Sequence, residues 1–174
     1  MSTKRKQLLI LKYFDTSVAN ALGALQARSL PRPEAQMLLL HVLGQPTHAR
    51  AWLLAHDTDA LPGAAHARLH ELATRRLAGE PMAYLTGSKA FYGLQLQVDA
   101  RVLDPRDDTE TLVDWALALL PRDAGRRVLD LGTGPGTLLL AALAQWPDAV
   151  GFGRDTSDVA LDYARRNAAM LGMS

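Results

Sequence analysis

The sequence predicts an α/β protein with an N-terminal helical bundle, a β-hairpin linker and then the first part of a doubly wound α/β domain. Three observations predict this class. Residues 1 to about 80 place apolar side chains at helical spacing between proline and glycine breaks. Residues 94–98 alternate between apolar and polar side chains, and residues 127–154 contain a strand, a glycine-rich loop, a helix and a second strand. We place the three parts at residues 1–82, 83–105 and 106–174.

Four short helices are predicted in the first part. The first has Asp15 or Thr16 as its N-cap, and the third has Thr47. The second helix takes Pro33 into its first turn, where the missing N–H costs nothing. Proline or glycine residues mark the breaks between the helices, namely Pro31, Gly44, Pro62, Gly63 and Gly79. Short helices joined by short turns predict a small bundle.

The linker and the following helix have their own signals. Gly87 and Gly93 supply the bends of a hairpin whose second strand covers residues 94–98. Asp107 and Glu110, three residues apart, resemble a capping box at the start of a helix that continues to residue 120. Residues 121–125 are predicted to form a loop.

The βαβ unit is the most informative stretch. Residues 127–131 form a short apolar run typical of a buried parallel strand. A helix over residues 138–143, a second strand over 149–153 and a helix over 157–171 follow the glycine-rich loop. Asp155 stands about 20 residues after the loop, at the tip of the second strand, where a carboxylate can bind both hydroxyls of a ribose. The unit is therefore predicted to bind a cofactor that contains a nucleoside.

The glycine spacing discriminates among such cofactors. The dinucleotide pattern G-x-G-x-x-G lacks its third glycine here, and the Gly-Lys-Ser/Thr of a P-loop is absent. The pattern D-x-G-x-G-x-G, led by Asp130, is typical of methyltransferases that use S-adenosylmethionine. That cofactor carries an ammonium and a sulfonium and no phosphate, which suits an acidic leading residue. A glycine turn without a ligand and a dinucleotide site remain alternatives.

Length and composition limit the other classes of function that the chain could have. The 174 residues are enough to bury a core, and 19 Lys and Arg residues balance 18 Asp and Glu residues. Such a balance gives no support to a strongly electrostatic nucleic-acid binder. The absence of cysteine excludes a disulfide scaffold, a thiol nucleophile and cysteine-ligated zinc. No apolar run approaches the about 20 residues of a membrane span, so we predict a soluble, cytoplasmic protein.

Four motifs together resemble the PrmC/HemK family, the N5-glutamine methyltransferases of peptide chain release factors. They are GEPMAYLTG at 79–87, Phe91-Tyr92, PRDDTE at 105–110 and DLGTGPG at 130–136. Residues 31–40 are also similar to the family's helical domain. The resemblance implies a Rossmann-like class I methyltransferase domain after a helical domain that recognises the release factor.

The resemblance also implies the site. S-adenosyl-L-methionine is expected to bind at Asp130, Gly132, Thr133, Gly134, Pro135, Gly136, Asp155 and Arg106. Two departures bear on it, since the family usually has proline at the position of Asp107 and threonine or serine at that of Pro135. No metal is expected: His66 and His70 have helical spacing but no third ligand nearby.

The family's catalytic Asn-Pro-Pro-Tyr motif does not occur in the sequence. We therefore assign no catalytic residue, and expect the chain as given to be a truncated and inactive fragment. The resemblance implies methylation of the glutamine side chain in the Gly-Gly-Gln motif of release factors. Expected partners are release factors and the ribosome, with no membrane and no sequence-specific nucleic-acid contact. A nucleic-acid adenine-N6 methyltransferase and a non-catalytic helical interaction module with a degenerate cofactor fold remain alternatives.

Overall fold

A computed structural model describes residues 16–120 and 125–173. It confirms the α/β class, because a helical part is followed by two small sheets. The chain divides into two compact units with the boundary between Thr86 and Gly87. Asp15, one predicted cap, and residues 121–124 of the predicted loop lie outside the described residues.

Over its described residues, 16–86, the first unit contains the four predicted helices and a short fifth one. They are α1 Val18–Ala27, α2 Arg32–Val42, α3 Arg50–Ala55, α4 Gly63–Leu77 and α5 Met82–Thr86. The fifth helix packs on α2 and α4, so residues 83–86 lie with the helices rather than with the hairpin. The core is aliphatic, and Leu38, Leu39, Leu40 and Leu72 are fully buried. Arg76 on α4 forms a bidentate ion pair with Glu34 on α2, with distances of 2.8 and 2.9 Å.

The predicted caps of this unit are wrong at two helices. The N-cap of α1 is Ser17, whose hydroxyl accepts a hydrogen bond from the amide of Asn20, so Thr16 does not cap it. The N-cap of α3 is Ala49, without a side-chain cap, rather than Thr47. The proline and glycine breaks are confirmed, since α4 follows Pro62 and the chain leaves α2 through Gly44 with a φ of 68°.

The second unit opens with the predicted hairpin. Strands β1 Ser88–Phe91 and β2 Leu94–Gln97 pair antiparallel. Tyr92 and Gly93 connect them with φ values of 48° and 77°, and positive φ at both positions defines a type I′ turn. Phe91 and Leu96 are buried beside Val113 of the next helix.

That helix does not begin with a capping box, and the expectation for Asp107 and Glu110 is wrong. Asp107–Thr109 form a 3₁₀ turn, after which α6 covers Glu110–Leu119 without a side-chain cap. The carboxylate of Glu110 instead accepts a 2.7 Å hydrogen bond from the amide of Tyr92. The Glu110 carboxylate thus satisfies an amide donor in a part-buried turn rather than an amide of its own helix.

The βαβ unit is confirmed. Strands β3 Arg127–Leu131 and β4 Val150–Arg154 are parallel, and α7 Thr137–Gln145 connects them. Helix α8 Asp158–Met170 follows, with the Ser157 hydroxyl as its N-cap. The expected burial of the first strand is wrong: α7 covers one face of the sheet, whereas Leu129 and Leu131 on the other are 62% and 74% exposed. Among the described residues, no helix is long and apolar enough to cross a membrane.

Candidate cofactor site

A cleft of about 430 Å³ lies at the carboxyl ends of β3 and β4. This is the position where parallel α/β sheets bind ligands. Seven of the eight predicted cofactor-binding residues line the cleft, namely Asp130, Gly132, Thr133, Gly134, Pro135, Asp155 and Arg106. A further wall comes from four residues that follow the hairpin, namely Arg101, Val102, Leu103 and Pro105.

The glycine-rich loop is held by its own backbone and by side chains at its base. Gly132 and Gly134 have φ values of 78° and 56°, a region that favours glycine. The amides of Gly132 and Thr133 both donate to the carbonyl of Arg154 at the end of β4, at 2.8 and 2.9 Å. The Thr133 hydroxyl donates to Asp130 at 2.8 Å. The loop is therefore tied to both strands.

Asp155 has a second role that the sequence did not show. One of its carboxylate oxygens accepts from the Gly134 amide at 2.8 Å, and the other accepts from the Ser157 amide at 2.9 Å. These backbone hydrogen bonds, that of Ser157 first, lower the pKa of the carboxyl group. The Thr156 amide contributes in the same direction, and a carboxylate with about four acceptor sites keeps capacity for a further donor.

Gly136 is the predicted site residue that the cleft does not include. It is the N-cap of α7 with a φ of 86°. A Cβ added there would lie 2.9 Å from the Leu140 side chain and 3.3 Å from the Cβ of Ala164. The third glycine of the motif thus serves the close approach of α7 and α8, and it lies behind the cleft.

The wall formed by residues 101–105 is anchored to α8. Arg101 and Tyr163 both hydrogen-bond Asp99, at 2.7 and 2.6 Å, and Arg101 also donates to the Tyr163 hydroxyl. The guanidinium, followed by the phenol, holds the pKa of the Asp99 carboxyl well below its usual range. Sequence reasoning missed this cluster, because residues 64 positions apart give no local signal.

The departure at Asp107 has a structural partner. Its carboxylate forms a 2.8 Å ion pair with Lys89 of β1. The side chain of Asp107 is 82% exposed, so the pair lies at the surface and contributes little to stability. Asp107 is not among the residues that line the cleft.

A larger groove of about 550 Å³ lies between α6, β3 and α7. Its lining is mainly aliphatic, with Leu112, Val113 and Leu139 among its members. Asp130 is the predicted site residue that it shares with the cleft. Convergent polar groups mark a small-molecule site better than volume does, so the smaller cleft is the candidate site. Within the described ranges no cluster of three metal-ligating side chains occurs.

Known proteins match this chain along most of its length. Residues 18–87 match the PrmC N-terminal domain. A release factor glutamine methyltransferase of Bordetella pertussis is 50% identical over 143 residues, which cover 82% of this chain and 52% of that protein. The enzymes of the same name from Neisseria gonorrhoeae and Escherichia coli are 43% and 42% identical, over 82% and 88% of the chain.

The helical unit thus matches the PrmC N-terminal domain, and the chain is similar to release factor glutamine methyltransferases along most of its length. Identities of 42–50% over more than four fifths of the chain identify homologues of the same fold. The family resemblance drawn from the four motifs is thereby confirmed.

The chain spans about half the length of the curated relatives that it matches, 52% in Bordetella pertussis and 54% in Escherichia coli. The PrmC N-terminal domain match covers the helical unit through Gly87. The candidate cofactor site lies beyond that match, between Arg101 and Ala160. The geometry of the cleft, rather than the match to the N-terminal domain, therefore supports the role of these residues in cofactor binding.

Proposed function

We propose that this chain supplies the release-factor-binding helical domain and the first part of the cofactor site of a protein-(glutamine-N5) methyltransferase. The observation that carries the proposal is the cleft. It combines an Asp-led glycine loop with Asp155 at the next strand end, in a chain 50% identical to a release factor glutamine methyltransferase. The activity for which these relatives are named favours this function over adenine methylation and over a non-catalytic module.

The lining of the cleft fits S-adenosyl-L-methionine. Its volume of about 430 Å³ falls within the range of small-molecule sites. Asp155 keeps acceptor capacity for a ribose hydroxyl, and Asp130 adds a second carboxylate suited to the ammonium end. Gly132 and Gly134 let the ligand lie against bare backbone, and Pro135 also lines the cleft. The family resemblance adds the cationic side chain of Arg106 to the residues expected to bind the cofactor, and Arg106 lines the cleft.

When bound, adenosylmethionine supplies an electrophilic methyl group. The residues of this chain would bind and orient that group and keep it in a defined position, which is catalysis by positioning. The methyl acceptor in the proposal is the side-chain amide nitrogen of a release-factor glutamine in a Gly-Gly-Gln motif. No residue of this chain is proposed to act on that amide. The proposal also places the protein in the cytoplasm, in contact with release factors and with the ribosome during translation termination.

Titration calorimetry of the chain with adenosylmethionine tests the cofactor half of the proposal. The wild-type chain should bind, and Asp155→Asn should weaken binding by at least about tenfold, or about 1.4 kcal/mol. Asp148→Asn is the matched control, since it removes an exposed carboxylate outside the cleft. Absence of binding by the wild type, or equal loss in the control, would contradict the proposal.

Binding to a release factor tests the substrate half. Sedimentation of the chain with a release factor should show a complex, and with DNA or RNA of similar size it should not. Complex formation with nucleic acid that weakens steeply with salt would favour the adenine methyltransferase instead.

A further inference from the structure

Asn167 is a buried polar residue that the cofactor site as described does not use. It lies on α8 and has no exposed surface, although it carries a side-chain amide with two donors and an acceptor. A buried amide must be satisfied by hydrogen bonds, since an unpaired one costs roughly 1–3 kcal/mol. Its partners therefore show what it holds together.

Two of those partners are on the hairpin. The oxygen of Asn167 accepts from the Gln97 amide at 2.7 Å, and its nitrogen donates to the Gln97 carbonyl at 3.1 Å. Both backbone groups of the last residue of β2 are thus paired with one side chain, as a neighbouring strand would pair them. Only this orientation of the amide gives each donor an acceptor.

The third partner is in the cofactor loop. The Asn167 nitrogen donates its remaining hydrogen to the Pro135 carbonyl at 2.9 Å, in a fully buried hydrogen bond. Pro135 has no N–H of its own, so this carbonyl is the backbone group through which the residue can be held. The Gly134 amide beside it is held by Asp155 from the other side.

We propose that Asn167 is a positioning residue that fixes the glycine-rich loop and couples it to the hairpin. The inference depends on the proposed function, because it assigns Asn167 to the same cofactor cleft. Asn167 does not itself line that cleft, so it acts through the carbonyl of Pro135. Movement of β2 on one side of the amide would be transmitted to the loop on the other.

Two readouts separate this role from a contribution to stability alone. Asn167→Ala should increase amide hydrogen exchange in peptides covering residues 132–136 and weaken adenosylmethionine binding by about tenfold or more. Val113→Ala is the control, because Val113 is buried in the same unit on α6 and does not line the cleft. It should lower the melting temperature while leaving loop exchange and cofactor affinity unchanged.

Each outcome decides one of the two proposals. If the wild-type chain binds no adenosylmethionine, the proposed function fails, and the exchange measurement still decides the role of Asn167. If the loop exchanges no faster in Asn167→Ala than in Val113→Ala, the positioning role is refuted. Should Asn167→Ala not fold, Asn167→Ser keeps one hydroxyl donor, and the same comparison applies to it.

Discussion

At the residue scale, the motif predicts some of the residues in and around the loop that follows β3. The others are identified only by the structure. Asp130, Gly134 and Asp155 follow from the spacing of the motif, because the carboxyl ends of parallel strands meet at one edge of a sheet. Gly136 belongs to the same motif but contacts α8 rather than the cleft. Asn167 has no sequence signal, because its three partners lie 32 and 70 positions away.

The packing role of Gly136 leads to a stability prediction. Gly136→Ala places a Cβ 2.9 Å from Leu140 at a φ of 86°, so it combines overpacking with backbone strain. Gly172→Ala has similar strain, with a φ of 70°, and open space around it. In urea unfolding, Gly136→Ala should cost about 1–3 kcal/mol more than Gly172→Ala. Equal losses would show that strain alone matters at residue 136.

At the element scale, periodicity predicted the helices and strands, while side-chain hydrogen bonds decided their ends. The alternation after Gly93 and the apolar run at β3 are local signals, and both elements formed as predicted. The cap at Thr16 failed because the adjacent Ser17 suits the N-cap position equally well, whereas α3 begins after Ala49 without any side-chain cap. The expected burial of β3 was also wrong, because a short apolar run does not indicate whether one or both faces of the strand are covered.

The stability that comes from the link between the residues after β2 and helix α8 should depend on pH. Its carboxylate, Asp99, has a pKa held well below its usual range by Arg101 and then Tyr163. A lowered folded-state pKa stabilises the protein above the ordinary aspartate value of about 4, and this stability is lost as the pH falls toward the folded value. Asp99→Asn should therefore lower the urea midpoint at pH 7 and flatten its change between about pH 5 and about pH 2.5.

Tryptophan fluorescence can follow the urea unfolding of the second unit alone. In a Trp52→Phe background the remaining tryptophans are Trp115 and Trp146, both after residue 87. Asp108→Asn serves as the control, because it removes an exposed carboxylate from the neighbouring segment. A pH profile for Asp99→Asn that parallels the control and the wild type would refute a role for the cluster in acid stability.

At the scale of the whole molecule, the two-stranded parallel sheet has one covered and one open face. On the open face Leu129, Leu131, Val150 and Phe152 are 48–74% exposed, and the guanidinium of Arg127 lies 5.6 Å from the Phe152 ring centre. Contiguous exposed apolar side chains on a sheet favour association. In the described part of the helical unit, Leu54 is exposed to a similar degree, at 71%, and the next large apolar side chain, Leu77, is 44% exposed.

This contrast predicts concentration-dependent self-association of the 174-residue chain through the sheet. The double substitution Leu129→Lys, Phe152→Lys places charges on the open face without filling or emptying a buried site, so it should shift sedimentation toward the monomer with little change in melting temperature. Leu54→Lys removes an equally exposed leucine from the helical unit and should leave the association unchanged. If Leu54→Lys reduces association as much as the double variant does, exposure of single leucines rather than the open sheet face drives it.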